Sequence, residues 1–119
     1  MGLAFDDHAL CLLAHHHPAR AVVITLTRRP GGALPVEMLA IGWSRIGAAE
    51  RDAHLVRMEV QQGVSIYVHR RLAAYARWHA LPITARRLAW WRYFEVDREI
   101  EVWHDLVRWE RSHPGLGGH

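Results

Sequence analysis

Ten histidines in 119 residues are the groups best suited to chemistry near neutral pH, because imidazole titrates there unperturbed and its neutral form ligates metals. His69, His79 and His104 are the candidate metal ligands. His54 is a fourth histidine in the same scatter, and Glu59, Glu95 or Glu101 could complete a donor set. No spacing among them enforces convergence, and an ordinary hydrogen bond at each is the plainer reading. His15, His16 and His17 are consecutive at a helix end, so their rings fan apart. They lack the i, i+4 spacing that aims two imidazoles at one ion, and when charged they offset the negative end of the helix.

A second constellation combines arginine with aromatics. Arg70, Arg71, Arg77, Arg86 and Arg87, with Trp78, are the candidate nucleic-acid or anion-binding residues. Arg92, Tyr67, Tyr75, Trp90, Trp91 and Tyr93 crowd the same stretch. Guanidinium pairs with phosphate while aromatic faces stack bases, the combination that holds single-stranded nucleic acid. The competing reading makes these tryptophans core and the arginines ordinary solvated charge, since all fifteen basic residues are arginine. A net charge of +3 leans toward an anionic partner.

Catalysis finds no comparable support. There is no nucleophile elbow, no dinucleotide fingerprint and no phosphate loop, Gly31-Gly32 lacking the following lysine. Asp6-Asp7 and the acids Glu95, Glu99 and Glu101 are accounted for by helix starts. No cofactor is expected. The single cysteine, Cys11, rules out an intramolecular disulfide and fits a reducing, cytoplasmic setting. The acidic start of the chain does not resemble a signal peptide, and no apolar run reaches the roughly 18 residues of a membrane span. Half the residues are hydrophobic and 23% charged, a globular composition.

The elements that must position these groups alternate in period. Phe5 to His17 reads as a helix, N-capped by Asp6, with Phe5 and Leu10 at staple spacing. Ala21–Arg28 and Val36–Trp43 read as a hairpin around Arg29-Pro30-Gly31-Gly32, and Ser44–Ala53 as a loop. His54–Val60, with Val56, Met58 and Val60 inward, and Val64–His69 form a second hairpin about Gln61-Gln62-Gly63. All four of these strands can be antiparallel. Arg70–His79 is a short amphipathic helix. Leu81–Leu88 and Ala89–Val96 are two further strands, and Pro82 places the first near its start or at an edge. Asp97 is read as the cap of a last helix, Arg98–Arg111. The expected architecture is α+β, a mainly antiparallel sheet of about six strands with N-terminal, middle and C-terminal helices. One domain spans 1–113, and 114–119 form a loose glycine-rich tail. Ile100, Trp103, Leu106, Val107 and Trp109 cover more than one stripe of the last helix, which suggests a sandwiched helix or a homodimer contact.

The segment Gly63-Val64-Ser65-Ile66-Tyr67-Val68-His69-Arg70-Arg71-Leu72-Ala73-Ala74-Tyr75 resembles the strand-to-helix segment of HesB/IscA-type iron–sulfur carrier proteins. The N-terminal helix, the following hairpin and the aromatic strand Trp90–Val96 sit in similar positions. The resemblance implies that scaffold over about residues 5–96. It does not bring the family's chemistry, because cysteine occupies none of the regions that ligate the cluster there, and thiolate ligation needs several. The resulting expectation is a small binding or accessory protein. The alternatives are an arginine–aromatic module for nucleic acid or phosphate and a histidine-based metal protein.

Overall fold

A computed structural model describes residues 2–15, 19–31 and 34–113. The first element is a strand, β1 (Gly2–Phe5), ahead of the expected helix, where the sequence reading assigns no element before Phe5; it pairs in parallel with a strand far along the chain, a partner invisible to local pattern. Helix α1 (Asp7–Leu13) then starts where expected, because the Asp6 carboxylate accepts the Ala9 N–H at 2.9 Å. A hydrogen bond from the Thr84 side chain, and after it the one from the Ala9 N–H, hold the Asp6 carboxyl below its usual range. His16 and His17 lie outside the described residues, as do Gly32 of the expected turn and the tail from Pro114; His15 is exposed.

The hairpin β2 (Arg20–Gly31) and β3 (Leu34–Arg45) is longer than its β-branched centre indicates, and Arg29, Pro30 and Gly31 belong to the strand ladder rather than to the turn. The expected loop contains a helix, α2 (Ile46–Arg51). Six residues are too few to display a helical period, but Ile46 and Ala49 have the i, i+3 spacing of one face. That face covers a small second core of Ala21, Ala49 and Tyr67. Next come β4 (Leu55–Gln61) and β5 (Val64–His69), joined at Gln62 and Gly63, both with positive φ as a tight hairpin turn requires.

The first four expected strands are not all antiparallel. Sheet order is β3-β2-β5-β4, with β2 and β5 parallel through Val22 and Ile66. The α2 segment carries the chain away from β3, so the β4–β5 hairpin docks on the other side of β2. Strand β5 is therefore central and buried on both faces: Val64, Ile66 and Val68 enter the main core and Tyr67 the second one. On β4 the expected inward stripe holds only at Met58, which packs against the core. Val56 is 41% and Val60 56% exposed, because a bulge between Arg57 and Glu59 breaks the alternation along an edge strand.

The remaining elements are α3 (Arg70–Ala76), β6 (Ala80–Leu88), β7 (Trp91–Val96) and α4 (Glu99–Ser112). Strands β1-β6-β7 form a second sheet with β6 in the middle. Pro82, near the start of β6, is tolerated there. Asp97 does not cap α4: its N–H donates to the Pro82 carbonyl, and Arg98, at φ 52°, occupies the N-cap position without a side-chain cap. Glu99 in the first turn of α4 instead accepts the Leu39 N–H of β3 at 3.1 Å, which satisfies an edge donor. The fold is α+β, with two mixed sheets and helices at both ends. Leu13, Ile24, Ile66, Leu72, Ile83 and Leu106 are fully buried in one core drawn from both sheets and three helices. Each such side chain contributes roughly 1.5–3 kcal/mol relative to exposure. Among the described residues no helix is long and apolar enough to cross a membrane.

Candidate functional site

Of the two sequence constellations, the three histidines read as metal ligands do not form one cluster among the described residues. His69 is the N-cap of α3, its Nδ1 accepting the Arg71 N–H at 3.2 Å, and its ring stacks on His54 with centroids 6.0 Å apart. Burial first, then the charges of Arg71 and His54, keep its pKa below the ordinary value. His79 lies beyond the other end of α3, a helix roughly 10 Å long at 1.5 Å per residue. It stacks on Tyr75 at 4.7 Å, and its Nδ1 is buried with no hydrogen-bond partner among the described residues. His104 is exposed on α4, edge-on to Trp103. Among the described residues no group of three or more His, Cys, Asp and Glu side chains is placed to hold a metal ion.

The arginines divide. Arg71 is taken up structurally: Nε and Nη2 donate to the two carboxylate oxygens of Glu110 at 2.8 and 2.7 Å, and Nη1 donates to Glu37 at 2.5 Å. These bonds tie α3 to α4 and β3, and they raise the guanidinium pKa further. Beside them the Tyr75 hydroxyl donates to Asp105 at 2.5 Å, and burial followed by that bond raises the phenol pKa. Arg70, Arg77 and Trp78 are exposed around α3. They precede β6, whose nine residues separate them from its far end by roughly 27–30 Å of extended chain.

Arg86 and Arg87 lie at that far end, in the β6–β7 hairpin. Register fixes what accompanies them. Ala85 pairs with Phe94, Arg86 with Tyr93, Arg87 with Arg92 and Leu88 with Trp91. Side chains alternate across a strand, so Arg86, Leu88, Trp91 and Tyr93 share one face. Arg87 and Arg92 share the other with the core residue Phe94. The expected strand Ala89–Val96 in fact begins at Trp91, because Ala89 and Trp90 form a two-residue turn with Ala89 at φ 55°. Shifting the strand start in this way presents aromatics to water. Leu88 is 71%, Trp90 88% and Trp91 63% exposed, and Tyr93 is also exposed.

The electrostatics are unbalanced at this tip. Arg86 pairs with Glu95 across the hairpin, and the Glu95 bond raises its pKa. The Arg87 Nε donates to the Ala89 carbonyl at 2.8 Å. Arg87 and Arg92 face each other directly, and among the described residues neither forms an ion pair with a carboxylate. Like charges in directly opposed positions cost stability, so this pair opposes the local fold. Aromatics stacked in the open beside guanidinium groups can take up planar rings and anionic oxygens together. Arg92, Trp90, Trp91 and Tyr93 are thus site residues that no linear motif isolates. The signal that finds them is the hairpin register.

On α4, Trp109 is buried against Tyr75 and does not reach a surface, whereas Ile100 is exposed and Trp103 partly so, its Nε1 buried without a partner among the described residues. No family model, curated protein or solved structure matches the chain.

Proposed function

We propose that this protein is a binding module for single-stranded nucleic acid, with the β6–β7 hairpin as its contact element, on a scaffold that we take to be HesB/IscA-like from the Gly63–Tyr75 segment. One observation carries the reading: Trp91 and Tyr93 are exposed on one face of a ribbon beside Arg86, while Arg87 and Arg92 are opposed on the other. Aromatics two positions apart on a strand are separated by roughly 6.5–7 Å, which leaves each ring free to stack on a separate base. Sheet-borne aromatics of this kind bind unpaired bases, whereas the stacked bases of a duplex offer them no face. The arginines supply the phosphate attraction. A cytoplasmic location accompanies this reading.

The test compares a 20-nucleotide single strand, the duplex of the same sequence and vesicles containing one third phosphatidylserine. The single strand should bind, and the duplex at least tenfold more weakly. Retention on vesicles without binding to the strand would overturn the reading in favour of a bilayer contact. Self-association through α4 is a separate proposal, supported by exposed Ile100 beside Trp103. A monomeric mass by light scattering at high concentration rejects it.

A further inference from the structure

Below the hairpin tip, α1 runs past β6 and leaves a cleft of about 370 Å³ lined by His8, Cys11, Ala85, Arg86, Arg87 and Arg92. The volume is at the small end of those that hold small molecules. Its lining is unusual in sign: three arginines and a histidine, with no carboxylate among the lining residues, the Arg86 guanidinium being taken up by Glu95. Glu95 engages Arg86 alone, and the opposed pair Arg87–Arg92 carries no ion pair among the described residues. A multiply charged anion would remove the repulsion between those two arginines and accept their planar N–H donors.

We propose that this cleft is a phosphomonoester site, in which the dianionic phosphate is held by Arg87 and Arg92 with Arg86 and His8 at its rim. A phosphomonoester carries between one and a half and two negative charges near neutral pH and three acceptor oxygens, which suits this donor set better than a carboxylate. The phosphate has two sources, the terminus of a nucleic-acid strand or a free phosphorylated small molecule. The first source deepens the function proposed above and rests on it; the second does not.

Cys11 provides the readout, since it is the only cysteine in the chain, is exposed, and lines the cleft. The rate of its alkylation by the neutral reagent N-ethylmaleimide should fall at least fivefold with adenosine monophosphate or inorganic phosphate at millimolar concentration. Potassium chloride at matched ionic strength should leave it unchanged. Arg87→Gln and Arg92→Gln should abolish the protection, read as the ratio of each variant's own alkylation rates without and with ligand, while leaving the circular dichroism spectrum as in the parent. If oligonucleotides ending in phosphate protect and hydroxyl-ended ones do not, the cleft proposal holds with the strand as source. If the monophosphate protects and oligonucleotides neither protect nor bind, the cleft proposal holds with a free metabolite as source, and the nucleic-acid reading fails. If oligonucleotides bind while no phosphate compound protects Cys11, or if chloride protects equally, the cleft proposal is overturned.

Discussion

Replacing Arg92 with glutamate should make the protein more stable and less able to bind, and the size of the first effect follows from the register. Arg87 and Arg92 are directly opposed, which puts their Cβ atoms roughly 4.5–5.5 Å apart. An opposite-charge pair there contributes about 0.2–1 kcal/mol, and a like-charge pair costs a comparable amount. The swap spans both and should stabilise by about 0.5–1.5 kcal/mol at low salt. For a domain of this size that is a melting-temperature rise of roughly 2–6 °C. Because the pair is exposed and the Debye length shrinks from about 10 Å at 0.1 M to about 3 Å at 1 M, most of the gain should vanish in 1 M salt. Arg92→Gln, which removes repulsion without adding attraction, should give about half the rise. Differential scanning calorimetry at 20 mM and 1 M sodium chloride measures both. An unchanged or lower melting temperature for Arg92→Glu at low salt would refute the claim that the two arginines strain the hairpin.

Three further outcomes follow from the packing. Arg71→Ala removes three charge-assisted hydrogen bonds and leaves Glu37 and Glu110 without their partner. With side chains about a quarter exposed or less, the cost lies between that of a surface pair and a buried one, about 2 kcal/mol, seen as a lower urea midpoint at unchanged slope. His69 has a folded pKa below its ordinary value of 6.5, so folding favours its neutral form. Its contribution to stability is complete above pH 6.5 and is lost as pH falls below that value. His69→Asn keeps a capping side chain and should flatten the urea midpoint between pH 7 and 5; an unaltered slope rejects the assignment. Ala89→Gly should raise stability by about 0.5–1 kcal/mol in thermal melts, because Ala89 sits at φ 55° in a turn that glycine adopts without strain.

How legible this was depended on the range of the information. The Asp6 cap, β5 and the start of α3 are local, written in a capping side chain and a two-residue alternation followed by a helical period, and the chain follows them. Strand β1 and the parallel pairing of β2 with β5 are set by partners more than forty residues away, so no window of sequence contains them. The β4 stripe looked inward because alternation assumes an unbroken ladder, and the bulge at Arg57–Glu59 breaks it. In the candidate site, arginine and tryptophan were recognisable as types. Which of them were free was not, because Arg71 is removed by acids from β3 and α4, and Trp109 by the core. Arg87 and Arg92 become a pair only through a turn placed at Ala89–Trp90.

The most direct test of the nucleic-acid reading is the salt dependence of affinity for a fluorescein-labelled 20-nucleotide single strand, measured by anisotropy for the parent and Trp91→Ala. Arg87 and Arg92, the two tip arginines without an ion pair among the described residues, predict a slope of log affinity against log salt near −1.4, from about −0.7 for each phosphate neutralised on a single strand. Loss of one stacking ring predicts a fivefold to hundredfold weaker complex, from about 1–3 kcal/mol per base, at an unchanged slope. No binding at 50 mM salt, or binding indifferent to both salt and Trp91, would contradict the account.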